Sequence, residues 1–567
     1  MDRQGEVFRI ALTDFYIDYW SYVSLSSNMS HWLYKAIQTN TRVVINRVKY
    51  PLMTLQALSK KEERLFIDGD LPYKSLSIKY EKPKYLDEGG FGAVTYYPHQ
   101  DFVAKKYFEF DPNKTPPMDM VKEIAFYRLF NHETRCLPIL KSFNLKKGVA
   151  VFERGVSTLY SAYGSFTLEQ VRNIMFKLAF CLRESSGQGI FHSDLKPTNL
   201  IIDVNGNVKI IDWGISEIDR AGTKTTGIGS FWYKAPELFG DYHNVLVNKS
   251  DIFSLGIIFL EILLKGLPFA GDSIDIQTRN LIKFYNGKRW SDHMGTKDPT
   301  KELHNIVMDE DTDYQAVIKA HPYLRRLSSY TADMISGMLL PNPKKRWTYD
   351  QILHSSVFDK YKIPKPLPKY LNEMDYLNMK EDWEREGLNI KLRAILLEWM
   401  FEVAVKFKME LTGYFLAVQI LDVTISVLKS QKIKRNQLQV FACAALCLSG
   451  KLFMDVDDVP EDKDYVQASD NAFSVASLVK ACRTIMEVQE GRYFMATIYD
   501  YYRLIVGGAR NKVQIYNILL TYVRPTVYMM EPKTVAEEIA TSSEPFPDKV
   551  VPKECREYLS AFKKVLR

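Results

Sequence analysis

The octet His192-Ser193-Asp194-Leu195-Lys196-Pro197-Thr198-Asn199, with Asp212-Trp213-Gly214 thirteen residues after Asn199, constrains this chain more than any other stretch. A lone surface aspartate is ordinarily only solvated. Here two carboxylates, an amine and a carboxamide stand in a fixed order, the second carboxylate between apolar strand residues and a glycine. The set supplies a carboxylate to receive a hydroxyl proton, a lysine to neutralise a γ-phosphate and a carboxamide for Mg²⁺. Any fold for this sequence has to bring these groups together.

Upstream, Leu86-Asp87-Glu88-Gly89-Gly90-Phe91-Gly92-Ala93-Val94 lies between two predicted strands. Glycines there let backbone N–H groups close over phosphate oxygens without Cβ obstruction. Glycine-rich hairpins are common, so this stretch specifies little alone. Val103-Ala104-Lys105-Lys106 follows on the next strand, where a lysine can reach phosphates or simply lie exposed. Short apolar runs alternate with turn residues from about 84 to 153 and read as strands. Helical periodicity then takes over, with Val171, Ile174, Met175, Leu178, Ala179 and Leu182 on one face.

In this order the motifs of residues 80 to 360 resemble the eukaryotic protein kinase family. The resemblance implies a small β-rich lobe over 81–155 and a helical lobe over 156–360, with ATP and Mg²⁺ as cofactors. It makes Asp194 the catalytic base and Lys196 its phosphate-binding neighbour, with Asn199 and Asp212 as Mg²⁺ ligands. Gly89, Gly92, Val94 and Ala104 fall on nucleotide-binding positions. Lys106, not Lys105, falls on the nucleotide lysine, and Glu123 on the helix glutamate that pairs with it. Phe152 and Glu153 align with the hinge that holds adenine. Glu237 in Ala235-Pro236-Glu237 closes the activation segment, in which Thr225 aligns with the activating threonine. Asp251 and Arg346 match positions that brace the helical lobe. FWYKAPELF, PMDMVKEIAF and VFE resemble the cyclin-dependent branch.

Three departures stand out. Asp87 replaces the first glycine of the loop, Trp213 replaces a phenylalanine, and Ser193 replaces the arginine that ordinarily pairs with a phosphorylated activation-segment threonine. None removes an acid, base or metal ligand, so an active enzyme is expected. Gly90-Phe91 stands where such kinases often carry two phosphorylatable residues, so inhibitory phosphorylation there is not expected.

Near 361, YKIPKPLPK resists helix and sheet alike and reads as a polyproline linker over 361–369. Beyond it the chain reads helical. Leu392, Ile395, Leu396, Trp399, Met400 and Val403 form one apolar stripe, and Val440–Leu448 is apolar all round, as in the central helix of a bundle. LRAILLEWMFEV, LAVQILDVTIS, NQLQVFACAALCLSGKL and YVQASDNAFSVASL resemble, in order, a cyclin box over 370–490. Arg393, Asp422 and Lys451 fall on characteristic cyclin positions. Cys482 stands where cyclins carry a glutamate that, with the lysine, holds the kinase helix, which puts one contact in doubt. Residues 491–567 are short for a second repeat and imply a reduced one or a helical tail.

The fold class expected is therefore multidomain: an α+β bilobal kinase fold followed by an all-α cyclin-box bundle. The first 80 residues carry no interpretable motif. With 46% hydrophobic and 25% charged residues the chain is not of a disordered class, and a net charge of +7 does not point to a nucleic-acid binder. Six scattered cysteines without a CxxC pair argue against a metal knuckle or disulfide framework and fit a reducing compartment. No signal-peptide core opens the chain, and its longest apolar run is far below a membrane span. Intracellular residence, cytoplasmic or nuclear, is expected, without membrane partners.

The resemblances together imply a serine/threonine kinase acting on protein hydroxyls and activated by its own cyclin-like domain. That domain could pair in cis or between two chains. A second reading also stands, of a catalytically weak scaffold that uses both folds to bind a partner.

Overall fold

The computed structural model describes residues 84–96, 101–130, 136–218, 229–239, 249–269, 271–286, 298–365, 379–384, 388–428, 433, 435–507, 511–524, 526–527 and 531–566. The 1–80 extension, Thr225 and most of the junction between linker and box lie outside them. Two compact units emerge. One comprises the described residues up to Phe108 together with Ile139–Arg154, and the other Glu109–Pro138 with the chain from Gly155 onward.

The first unit is a five-stranded antiparallel sheet. Its strands are β1 (Lys84–Gly89), β2 (Gly92–Tyr96), β3 (Phe102–Tyr107), β4 (Leu140–Asn144) and β5 (Val149–Glu153), in the order β1-β2-β3-β5-β4. Alternation gives each strand two faces, and directly paired residues share one. Gly92 pairs with Tyr107, Val94 with Lys105, and Val103 with Phe152. These six side-chain positions therefore line one face, while Ala93, Thr95, Ala104, Lys106 and Val151 line the other. Gly92 is required by close approach, since a Cβ there would lie 2.5 Å from Lys106 O.

The second unit begins with helix α1 (Met118–Phe130), buried on nearly every side, Asp119, Lys122 and Glu123 included. A helix covered all round has neighbours all round. Helix α2 (Leu168–Gly187) opens on a capping box between Thr167 and Gln170 and buries the six-residue apolar face read from its periodicity. Short strands β6 (Ser157–Thr158), β7 (Ile190–Phe191), β8 (Leu200–Ile202), β9 (Val208–Ile210) and β10 (Glu217–Ile218) frame the octet. Helix α3 (Ser250–Leu264) runs through the body behind them, followed by α4 (Ile274–Asn286), α5 (Pro299–Met308), α6 (Tyr314–Lys319), α7 (Ser329–Met338) and α8 (Tyr349–Leu353). The start of the polyproline stretch lies along α2, where Arg183 Nη2 donates to Pro364 O at 3.1 Å.

An all-α bundle follows: α9 (Met379–Trp383), α10 (Ile390–Lys406), α11 (Leu411–Val427), α12 (Arg435–Phe453), α13 (Asp462–Ala468) and α14 (Val475–Val488). Ala442 to Leu448 of α12 are wholly buried, as the all-round apolar pattern implies. On α10 the stripe read from sequence is only partly the buried one. Leu392, Ile395 and Trp399 are half-exposed, while Arg393, Ala394, Leu397, Met400, Phe401 and Ala404 face the core. Arg393 enters that core because Asp422 of α11 meets it with two bonds of 2.8 Å, and its third nitrogen donates to Tyr522 O. Trp383 Nε1 adds a 3.0 Å bond to the same carboxylate.

The chain from 491 onward forms α15 (Ile498–Ile505), α16 (Lys512–Val523), α17 (Pro532–Thr541) and α18 (Ser560–Lys563), which close onto the bundle. Glu398 of α10 accepts from Ser560 Oγ and Ala561 N, both at 2.7 Å, and Phe562 packs edge-on against Phe401.

The cysteine reading needs one correction. Cys136 and Cys181 are joined by a disulfide, their Cα atoms 5.5 Å apart, because the folded chain brings the segment after α1 onto the middle of α2. Spacing alone could not reveal a pair separated by 45 residues.

Protein unfolded without reductant should therefore titrate as the four thiols Cys443, Cys447, Cys482 and Cys555; six would remove the bridge. Arg393→Ala strands the buried Asp422 without its counter-charge. The expected loss is about 3–5 kcal/mol, read as a lower denaturation midpoint of the bundle.

Candidate active site

The octet runs from β7 through a tight loop into β8, and its backbone is fixed from behind. Asp251, at the start of α3, accepts from His192 N at 2.6 Å and Ser193 N at 3.0 Å. Burial raises the Asp251 carboxyl above its ordinary range, and the two amides and His192 partly offset that rise. Ser193 adopts φ 66°, the left-handed conformation the turn requires, and a Cβ on Gly229 would meet Ser193 O at 2.6 Å. His192 Nε2 contacts Ile211 O at 2.8 Å, and its ring packs edge-on to Trp213.

With the loop held, its side chains converge. Lys196 Nζ donates to Asp194 Oδ2 at 2.7 Å. Asn199 Nδ2 donates to Asp194 O at 3.0 Å, which leaves its carbonyl oxygen as the acceptor end of the amide. Ser230, which the sequence reading did not single out, completes the group. Its N–H and hydroxyl reach Asp194 Oδ1 at 2.7 and 2.8 Å, and its Oγ accepts from Lys196 at 3.1 Å. Asp194 is thereby fixed at both oxygens. Ser230 lies just ahead of FWYKAPELF, and only that position hinted at it.

Asp212 also sits at positive φ, 66°. Its neighbours tie it to α1: Trp213 packs near Phe130, and a Cβ on Gly214 would lie 2.9 Å from Asp119 Cβ. Glu123 and Asp212 both lie close enough to Tyr127 to add to the burial that raises its hydroxyl pKa. Glu237 meets Arg346 in two bonds of 2.6 and 2.7 Å, both groups buried, which fixes the segment end at the base of α3.

In the sheet unit, Gly89 pairs with Gly92 across the glycine turn, with Gly90 exposed at its tip. Glu153 closes a loop onto Ile139, donating from its amide and accepting at Oε2. The face carrying Val94 and Phe152 carries Lys105. Ala104 and Lys106, expected beside them, occupy the opposite face, and Lys106 is exposed.

The bundle grips the loop in front of α1. Asp462 accepts from Thr115 N at 2.9 Å and from its hydroxyl at 2.5 Å. Lys451 donates to Thr115 Oγ1 at 2.8 Å and to Pro116 O at 2.6 Å. Tyr493 OH donates to Val121 O at 2.7 Å, Phe494 packs against Phe126, and Arg483 reaches Pro112 O at 2.8 Å. Of the three positions named for the box, only Lys451 makes this contact; Arg393 and Asp422 are spent inside the bundle. Cys482, its thiol raised by burial, faces Ala444 O instead, and the missing acid is supplied by Asp462 from another helix. Nothing in the local sequence marks Asp462 for that task.

The structure thus holds two groupings: a buried-loop constellation suited to phosphoryl transfer, and a helical bundle seated on α1. Residues 80–358 match the family model described as protein kinase domain, and residues 363–490 that of the cyclin N-terminal domain. Among relatives, the chain is 28% identical over 315 residues to human "Cyclin-dependent kinase-like 4", covering 52% of this chain and 79% of the relative. It is 28% identical over 296 residues to "Cell division control protein 2 homolog 2" of Trypanosoma brucei brucei, covering 50% and 83%. It is 31% identical over 184 residues to "Serine/threonine-protein kinase KIN28" of Saccharomyces cerevisiae, covering 31% and 56%. The chain thus carries a protein kinase domain over residues 80–358, similar to cyclin-dependent kinases, followed by a cyclin N-terminal domain over 363–490.

Proposed function

We propose that this chain is an active ATP-dependent serine/threonine protein kinase switched on by its own cyclin box. The observation that carries the reading is the clamp of Lys451 and Asp462 on Thr115 and Pro116, directly ahead of α1. Glu123 stands on that helix, and Asp212 directly precedes Trp213 and Gly214, which pack against it. Seating the helix therefore bears on both groups at once.

In this reading Asp194 receives the proton of the attacking hydroxyl, positioned by Ser230 and by the Asn199 amide. Lys196, held between Asp194 and Ser230, neutralises charge on the transferred group. Asn199 Oδ1 and the Asp212 carboxylate are the oxygen donors for Mg²⁺. Among the described residues no three His, Cys, Asp or Glu side chains gather to hold a metal alone. Two hard donors fit a cation whose shell is completed by substrate phosphates and water. Bound Mg²⁺ would supply charge neutralisation at the phosphates. No described helix is long and apolar enough to cross a membrane. Intracellular protein substrates and an intracellular site of action belong to the same proposal.

Ser193 carries no charge to pair with a phosphorylated Thr225. Lys122, the cation of α1 next to Glu123, already donates to Ser216 O at 3.0 Å. That bond ties the start of the activation segment, at Ser216, to α1.

Asp194→Asn is expected to lower phosphotransfer to a generic protein substrate by at least about 10²-fold, in the range for a lost general base; equal rates would leave the scaffold reading. Lys451→Ala removes a buried cation with two charge-assisted bonds of about 1.5–3 kcal/mol each. It should lower kcat/KM about 10- to 100-fold while the melting of the large lobe is kept. Specific activity that stays constant on dilution supports pairing in cis, and a steep fall supports pairing between chains. Thr225→Ala should keep most of the activity, and near-complete loss would contradict the Ser193 argument.

A further inference from the structure

No part of the proposed catalytic scheme uses the disulfide between Cys136 and Cys181, yet its surroundings lead directly to the octet. Cys181 lies on the buried face of α2, which packs against β7 and β9. Cys136, beyond the end of α1, is bonded through its backbone to the end of β9, where Ile210 N donates to Cys136 O at 2.8 Å. Two positions further along stands Asp212.

The neighbouring bonds fasten that strand end to the site on its other side. Ile211 N donates to Asn199 O at 2.9 Å, and Ile211 O meets His192 Nε2 at 2.8 Å. Trp213 Nε1 donates to Ile210 O at 3.2 Å. The stretch 210–213 is therefore held between the octet on one side and Cys136 on the other. The bridge makes the second hold covalent, because it ties Cys136 to the middle of a 20-residue helix. Opening it leaves the segment that carries Cys136 O with noncovalent contacts alone.

The other four cysteines are free and buried. In a reducing compartment, a disulfide in such a chain is ordinarily transient, catalytic or sensing rather than permanent. Cys136 and Cys181 are 3% and 6% exposed, too buried to act on an outside substrate. Exchange at the pair proceeds through local opening, which sets its rate and not its end point.

We propose that Cys136–Cys181 is a redox-modification site that sets catalytic competence. Closed, it fixes 210–213 and with them Asn199 and Asp212; open, it lets them shift. The co-reactant is a dithiol. Its thiolate attacks one sulfur of the bridge, the displaced cysteine leaves as a thiolate and takes a proton, and the second thiol resolves the mixed disulfide. Two electrons and two protons pass to Cys136 and Cys181, and the dithiol leaves as a disulfide. The proposal rests on the kinase reading for the activity and on its intracellular site for the reductant.

The test poises the full-length chain at a series of ratios of reduced to oxidised dithiothreitol. Alkylation followed by peptide mass reports the bridge, and thermal melting reports folding. Phosphotransfer and the Mg²⁺-dependent binding of a fluorescent ADP analogue report the site. kcat/KM is expected to fall about tenfold as the bridge opens, the lower end of the range for losing support behind a metal ligand. It should track the alkylated fraction and recover on reoxidation. The Mg²⁺ concentration for half-maximal analogue binding should rise about threefold or more over the same ratios. Cys136→Ser and Cys181→Ser should match the reduced parent at every ratio. If either variant is unfolded at the assay temperature, the parent's own titration decides, since it changes no residue. A bridge closed at every ratio, equal kcat/KM in both states, a response that persists in either serine variant, or a loss that follows melting of the reduced chain overturns the proposal. A fall in kcat/KM with an unchanged Mg²⁺ requirement overturns the role given to Asn199 and Asp212. Redox-insensitive activity that Asp194→Asn still abolishes leaves the kinase reading intact. A parent that transfers no phosphate in either state ends that reading, while analogue binding still decides what the bridge does.

Discussion

The buried ammonium of Lys451 and the carboxylate of Asp462 meet on one threonine, and the placement of α1 depends on them. Thr115 is 5% exposed and uses its amide and hydroxyl in the contact. Lys451 is buried and Asp462 partly so, and the buried ammonium needs the partners it has. That is why the loop ahead of α1 is held more firmly than an exposed connection of its kind would be. Because α1 groups with the helical unit and not with the sheet, the grip reaches Asp212 through the packing of Gly214 on Asp119 and of Trp213 near Phe130. A polar contact at one end of a helix thus bears on a metal-ligand candidate at its side.

Much of this was legible in the sequence. The face of α2 from Val171 to Leu182 follows a 3.6-residue period, and the all-apolar run of α12 required a surrounded helix. The octet and Asp212-Trp213-Gly214 are local motifs, and local geometry carried them. What stayed hidden depended on pairing at a distance. Lys105 and Lys106 are adjacent identical residues, and only strand register tells their faces apart. Asp462 is one acid in a stretch rich in acids, and its task follows from where α13 ends up. Ser230 is a small hydroxyl residue whose partners are 36 and 34 positions away. The stripe on α10 misled because Arg393 counts as polar until Asp422 pairs with it.

The same long-range dependence runs through the substituted positions. Loss of the glutamate at Cys482 does not leave Lys451 without company, because an acid from a different helix takes over the recognition of Thr115. Loss of the arginine at Ser193 leaves a turn still fixed by Asp251. In both places a charge that a family pattern puts at one position is either moved or dispensed with. The geometry around it is kept by neighbours that the motif does not include.

Distance along the chain also sets a schedule for synthesis. Thr115 finds Asp462 347 residues later, and Glu398 finds Ala561 163 residues later. At roughly 5–20 residues per second, a ribosome needs about 20–70 s to go from the first of these residues to its partner. For the later part of that time the octet is already outside the exit tunnel while the grip on α1 does not yet exist. A nascent chain of this kind carries the octet well before it carries the grip on α1, and on the proposed reading competence arrives late and all at once.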